Sequence, residues 1–292
     1  MATLAKPHEA SRATTAAPAR QRFNQAAKYI ALTMFTLTWL LPLFATLLTS
    51  VRTMDDITLN GFWSVPTEFR FSNFEQAWVA ARVRQYLLNS FIITIPSLLG
   101  MLFLSSLSAY ALARFKFRGN LLIYFMYVGG MMLPFQILLL PVFRLTNRIG
   151  LYDTYGALIL IHIAFQLGFC TFVMRNFMRT VPGEILDAAR VDGCGEFRIY
   201  WQIMLPLSLP SLAALATLEF TWVFNDFLWA LILLQSDSLR PVTAGLATLQ
   251  GQYVTDWPLI TAGALLATLP TVIVFIFLQR YFIQGLTLGS GK

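Results

Sequence analysis

The chain has 292 residues, of which 57% are hydrophobic and 12% charged, and a formal net charge of +7. Soluble domains carry about 25% charged residues, so this composition excludes an ordinary water-soluble protein and points to an all-α polytopic membrane protein. The positive charge then reads as membrane topology rather than as a nucleic-acid surface, because Lys and Arg collect on the cytoplasmic side.

Residues 1–28 hold few large apolar side chains and five cations, Lys6, Arg12, Arg20, Arg22 and Lys28, and read as a disordered cytoplasmic tail. An apolar run over Tyr29–Ser50 follows. It is too long for a signal-peptide core and has no Ala-rich cleavage site after it, so it reads as an uncleaved first span. Five more runs of about 20 or more residues, the length that crosses a bilayer as a helix, predict spans at Tyr86–Ala113, Leu121–Phe143, Tyr155–Met174, Leu207–Leu234 and Ile260–Phe282. Residues 29–292 therefore form one six-helix transmembrane domain with both termini on the same side.

The basic residues fit that topology. Fourteen of the 21 Lys and Arg residues fall on the predicted inner side and seven (Arg52, Arg70, Arg82, Arg84, Arg144, Arg148 and Arg240) on the outer side. Two connections are long. The outer one, about 51–85, contains "NFEQAW", Asn73 to Trp78, which reads as a short amphipathic helix on the outer membrane surface. The inner one spans about 175–206. Prolines 42, 96, 134, 141, 210 and 270 lie inside spans, where each removes a backbone hydrogen bond. They fit bent packing helices. Pro134 and Pro141, preceded by Gly129 and Gly130, also fit a third span loosened for gating.

Little in the chain suggests catalysis. It holds two histidines and two cysteines, no metal-binding spacing, no phosphate-binding loop and no nucleophile motif. Cys170 and Cys194 read as unpaired small residues. His162 and Gln166, one turn apart in the fourth span, fit either an interhelical packing pair or a lining of a substrate pathway. Glu219 and Asp226 fall within the fifth span seven residues apart, which predicts similar faces of one helix. Trp222, Asn225 and Trp229 share or flank that face. A charge in lipid is costly, so this carboxylate–Asn–Trp surface must face a pathway suited to sugars or hold a partner subunit. A proton-coupled carrier using these two carboxylates is the rival reading, weakened by the lack of repeated halves.

The inner loop carries the most specific signal. "VPGEILDAARV" opens with Pro182 and places Glu184 and Asp187 in its first turns, positions favoured at a helix N-terminus. Ile185, Leu186, Ala188 and Ala189 give an apolar stripe, and Gly193-Cys194-Gly195 supplies a break open to left-handed backbone. A second short helix over about Glu196 to Met204 leads through Leu205-Pro206 into the fifth span. Helix, turn and helix together present a knob suited to a partner's groove.

Here the sequence resembles the permease subunits of ABC-type importers. Their pattern of Glu-Ala-Ala, three residues, Gly, nine residues and Ile-x-Leu-Pro stands as Asp187-Ala188-Ala189, Gly193, Ile203, Leu205 and Pro206, with Asp replacing the usual Glu. "YLLNSFIIT" (Tyr86–Thr94), "FNDFLWALIL" (Phe224–Leu233) and the ending "FIQGLTLGSGK" are similar to the carbohydrate-uptake branch, close to the second permease of maltose-type importers. The final residues depart from that family's usual ending.

The resemblance covers about residues 25–292. It implies the type I permease fold, a bacterial inner-membrane location, and half of an alternating-access pathway for a sugar or sugar derivative. Glycerol-phosphate or another polyol is the alternative within the same branch. It implies a second permease, two ATPase subunits that use ATP and Mg, an external substrate-binding protein, and no cofactor on this chain. It assigns Asp187, Ala188, Ala189 and Gly193 to the ATPase interface and Glu184 and Arg190 to its rim, with Ile203, Leu205 and Pro206 completing the motif.

Overall fold

The computed structural model describes residues 16–250 and 255–288. Helix α1 spans Ala16–Ser50, followed by α2 Met54–Asn60, α3 Ser72–Val79 and α4 Val83–Arg114. Next come α5 Asn120–Met131, a 3-10 turn at Phe135–Leu138, α6 Leu139–Arg148 and α7 Tyr155–Thr180. The loop after α7 contains α8 Gly183–Val191, α9 Glu196–Ile199, a π turn at Tyr200–Met204 and α10 Leu205–Leu207. The chain ends with α11 Leu209–Phe224, α12 Leu228–Leu233, a 3-10 turn at Asp237–Leu239, α13 Val242–Ala247 and α14 Trp257–Leu288.

Among the described residues, four helical segments are long and apolar enough to cross a membrane unbroken: Phe23–Ser50, Val83–Arg114, Tyr155–Thr180 and Trp257–Arg280. Two bent pairs supply the other two spans. Asn120–Met131 and Phe135–Arg148 meet at 91°, and Glu196–Leu207 meets Leu209–Phe224 at 69°. Six spans result when each bent pair is one.

α4 and α7 pack along their lengths at the centre. Their contact buries Met101, Ala109, Leu158, Cys170 and Met174 in the main core. α5 also packs on α7, and Gly168 is what lets it approach: a Cβ there would meet the Tyr127 carbonyl oxygen at 2.8 Å. Small residues at such crossings are how membrane helices gain packing contacts without a hydrophobic driving force. α11 packs on α4 and α14, and α1 on α14. Exposed large side chains such as Phe35, Trp39, Phe125, Met126 and Phe277 cover the outer faces, as a lipid-facing surface requires.

Several expectations are corrected. Residues 16–28 do not form a disordered tail but continue α1, because Ala, Gln, Arg and Lys are strong helix formers even without apolar patterning. Residues 1–15 lie outside the described residues. The third span is not one helix: it breaks after Met131, where Pro134 caps the 3-10 turn in extended geometry. Pro42, Pro96 and Pro270, by contrast, sit inside unbroken helices. "NFEQAW" is helical, as α3, and it is docked on the bundle, against α14 and α4. Ala77 is fully buried, and the Asn73 side chain donates to the Ser50 and Arg52 carbonyls at 2.9 and 2.8 Å.

The predicted helix Glu196–Met204 is α-helical only to Ile199. Pro206 has no N–H to give the Gln202 carbonyl, and the ladder widens just before it, with Leu205 N–H donating to the Tyr200 carbonyl. Such π turns absorb a missing bond without ending the helix.

Candidate functional site

Four regions hold most of the polar contacts: the loop between α7 and α11, the junction after α11, the chain before α13, and the segment after α1.

In the loop between α7 and α11, α8 ends in a Schellman motif. Cys194 N–H donates to the Ala189 carbonyl (2.9 Å) and Gly193 N–H to the Arg190 carbonyl (3.0 Å). Gly193 occupies the left-handed position, with φ of 81°, where a Cβ is unfavourable. Gly195 does not share that geometry; its φ is −73° and it caps α9. The helix turns one face inward, burying Leu186 and Ala189, and leaves Glu184, Ile185, Asp187, Ala188 and Arg190 exposed. The apolar stripe is thereby split: Ile185 and Ala188 face outward while their neighbours enter the core. Val191 is 88% exposed and Phe197 73%. These two side chains make the loop an apolar knob with a charged collar.

The collar is ordered. Arg190 Nη1 donates to Asp187 Oδ1 at 2.6 Å and Arg190 Nε to Glu196 Oε1 at 2.7 Å. The other Glu196 oxygen, Oε2, accepts from the Tyr110 hydroxyl at 2.8 Å. Arg114, ending α4, donates to the Val181 carbonyl at 2.7 Å and also to that of Met178, satisfying carbonyls at the end of α7. Arg175, by sequence one of the inner topological charges, is buried over the Tyr124 ring, 3.9 Å from its centre. Ile203 and Leu205 are half-buried in the π turn and its exit, and Pro206 is exposed.

The junction after α11 departs from the sequence reading. α11 ends at Phe224, so Glu219 and Asp226 do not share a helix face. Asn225 closes the helix, and Asp226 turns back to accept from the backbone N–H groups of Trp229 (3.4 Å) and Ala230 (3.1 Å), starting α12. An Asp able to bond the following backbone competes with helix continuation, and the "ND" pair uses that ability here. His162 Nε2 stands 3.8 Å from Asp226 Oδ2. With Ser90, Thr94 and Pro241 they line a small cavity between α4, α7 and α11.

The remaining candidates disperse. Glu219 is buried against the Cys170 thiol. Gln166 is half-buried one turn along α7, and Trp222 and Asn225 are exposed on another side of α11. Trp229 is buried against Phe165 and Phe135. Among the described residues, no group of three or more His, Cys, Asp or Glu is placed to hold a metal ion.

Sequence reasoning missed α13 and the chain before it. Asn89 Nδ2 donates to the Ser238 and Arg240 carbonyls, both at 2.9 Å, and the Tyr155 hydroxyl donates to Asn89 Oδ1 at 2.8 Å. Asp153 accepts from the Gln235 and Ser236 backbone, both at 2.9 Å. Burial alone would raise its carboxyl, but the Ser236 hydroxyl and these N–H groups outweigh burial and hold it below the usual range. "YLLNSFIIT" held the signal: an Asn in an apolar span needs a partner, and its partner is a folded-back segment.

The segment after α1 is tied by Arg52, which is fully buried. Its guanidinium reaches Asp56 Oδ2 (2.5 Å), the Ser64 hydroxyl (2.5 Å), and the Gly61 (2.9 Å) and Phe62 (3.2 Å) carbonyls. Asn60 (2.7 Å) and Thr67 (3.0 Å) donate to the other Asp56 oxygen.

Comparison with known proteins agrees with this architecture. Residues 101–288 match the family of binding-protein-dependent transport system inner membrane components. The chain is 38% identical over 254 residues to the arabinooligosaccharides transport system permease protein AraQ of Halalkalibacterium halodurans, covering 86% of this chain and 90% of that protein. It is 31% identical over 280 residues to the diacetylchitobiose uptake system permease protein NgcG of Streptomyces coelicolor, covering 95% and 92%. The crystal structure of a bacterial ABC transporter that imports the acidic polysaccharide alginate contains a chain of the same fold, with a TM-score of 0.80, 20% identity, and 95% and 100% of the two chains covered. The chain belongs to the binding-protein-dependent transport system inner membrane components, the permease subunits of ABC importers, and is a transport subunit rather than an enzyme.

Proposed function

We propose that this chain forms half of the translocation pathway of a sugar importer, with residues 183–206 as its ATPase-docking loop. The observation that carries the reading is the loop itself. Asp187-Ala188-Ala189, Gly193 and Ile203-x-Leu205-Pro206 keep the family's intervals, and Gly193 adopts the left-handed turn that shapes the knob. Ile185, Val191 and Phe197 stand exposed at its tip. An apolar knob with a charged collar suits a groove on a partner.

In this reading the loop lies on the cytoplasmic side, together with the N-terminus. Two ATPase subunits bind ATP and Mg, close, and drive the permease pair between inward- and outward-facing states through differential nucleotide binding. A second permease completes the pathway, and an extracytoplasmic binding protein delivers the substrate. Asp187, Ala188 and Glu184 meet the ATPase, while buried Ala189, Gly193 and the Ile203–Pro206 turn set the knob's angle. His162 and Asp226, with Gln166, Glu219, Trp222 and Asn225 at greater distance, mark where α7 and α11 border the pathway.

The names of AraQ and NgcG support a sugar over glycerol-phosphate or another polyol. Purification from membranes should recover this chain with an ATPase and a second permease, and uptake into proteoliposomes should need ATP and the binding protein. Proton-driven uptake by the chain alone would overturn the reading. A thermal-shift screen of the associated binding protein against sugars and polyol phosphates should single out a sugar.

A further inference from the structure

We infer that Tyr110, Glu196 and Arg190 form a transmission link that ties the loop helix α8 to α4. The inference rests on the docking role proposed for residues 183–206 and names the residues that carry its motion into the membrane.

The geometry is a continuous chain of short polar contacts. On α8, Arg190 holds Asp187 with Nη1 at 2.6 Å and Glu196 with Nε at 2.7 Å. Glu196 uses its second oxygen for the Tyr110 hydroxyl at 2.8 Å. Its two oxygens thus serve two different elements, the loop helix on one side and a membrane helix on the other. Bonds with an ionised partner are the strong and directional ones.

Tyr110 is suited to receive the motion. It is 5% exposed in the last turn of α4, with its ring against Tyr200 and Phe115, centroids 5.4 and 5.7 Å apart. One turn earlier, Ser106 shares a 2.7 Å hydrogen bond with the Tyr200 hydroxyl. Residues 106 and 110 lie on one face of α4, so α9 and the π turn are fixed to that face at two levels. α4 in turn packs along α7. A tilt of α8 is therefore passed through Arg190 and Glu196 to the end of the central helix pair.

Stability alone does not account for this arrangement. The Arg190 and Glu196 side chains are 39% and 40% exposed, and ion pairs so placed contribute little to folding. Their value is in fixing an angle.

The test uses the full complex in lipid nanodiscs, with spin labels at the outer ends of the two permeases and Mg–ATP plus orthovanadate as the probe. Tyr110→Phe removes one oxygen and keeps the ring packing, and Glu196→Ala removes both contacts. Each should lower the ratio of switched to resting complexes about tenfold, the worth of one charge-assisted bond, while the ATPase still co-purifies and Tm is unchanged. The double variant should do no more than Glu196→Ala alone, since both act through one contact. Glu196→Gln, which keeps an acceptor for Tyr110, should restore part of the response.

Wild-type switching in Tyr110→Phe, or additive losses in the double variant, would overturn the link. If Glu196→Ala fails to assemble, Tyr110→Phe decides. A wild-type complex that retains no ATPase would instead sink the docking role on which the link rests.

Discussion

The segment after α1 and the loop before α11 are both polar islands beside apolar helices, yet they place their charges in opposite ways. Arg52 is fully buried and Asp56 nearly so, and every guanidinium nitrogen has a partner within the segment. Arg190 and Asp187 are paired as closely, but in the open, with Asp187 72% exposed beside exposed Val191 and Phe197. A buried pair left half-made is strongly destabilising, so the Arg52 knot holds a shape. An exposed pair adds little to stability, so the Arg190 collar presents one. The same chemistry serves as scaffold in one region and, in the reading proposed above, as docking surface in the other.

The sharpest way to break that contrast is Arg52→Met, which leaves the Asp56 carboxylate without its cation. Tm in detergent should fall by about 5–10 °C, because the loss falls on stability. ATPase co-purification at low temperature should remain. Gly193→Val should do the reverse. Its φ of 81° is unfavourable for a β-branched residue, which costs about 1–2 kcal/mol locally, but the site is open, with no neighbouring atom within 4 Å of where a Cβ would stand. The chain should fold, and ATP-driven uptake should fall at least tenfold or the ATPase should dissociate. A variant that transports like wild type would refute the reading of this turn.

Acid separates the two regions further. Arg52 first, then Asn60 and Thr67, lower the Asp56 carboxyl from its ordinary 3.8 to about 2. A depressed folded-state value contributes stability above the unfolded one and loses it as pH falls through the folded one. The Arg52–Asp56 knot should therefore hold at pH 5 and weaken between about pH 4 and 2. In a Tm series over that range, the gap between wild type and Arg52→Met should narrow as pH falls; a constant gap would mean that Asp56 does not supply it.

Much of this was legible in the sequence, for identifiable reasons. Span existence follows from apolar length, which a bilayer enforces. The loop turn follows from Gly193, because few residues adopt left-handed backbone. The broken third span and the unwound stretch at Asn225–Phe227 were not legible. Pro134 breaks its span while Pro96 and Pro270 sit within continuous helices, a difference that the proline itself does not encode. Asp226 reads as one more polar residue on a helix until α12 is seen beginning at its carboxylate. Arg52 reads as a topological charge until Asp56, Ser64 and two carbonyls are found around it, contacts made by chain folding back over 12 residues.

The smallest effect sharpens the comparison most. Asp187 stands where the family carries glutamate, and here its carboxylate faces Arg190 of the same helix at 2.6 Å. If the collar only stabilised α8, Asp187→Asn would change little else. Tm should indeed move by less than about 2 °C, the scale of an exposed pair, and should be insensitive to salt. ATPase retention should fall measurably and the remaining binding should depend less steeply on ionic strength, because a carboxylate that meets a partner is screened within a Debye length of about 10 Å at 0.1 M salt. Asp187→Glu should keep that dependence, its longer side chain reaching the same partner. Equal salt profiles for Asp187→Asn and wild type would assign Asp187 to the helix alone and leave Glu184 as the acidic contact of the knob.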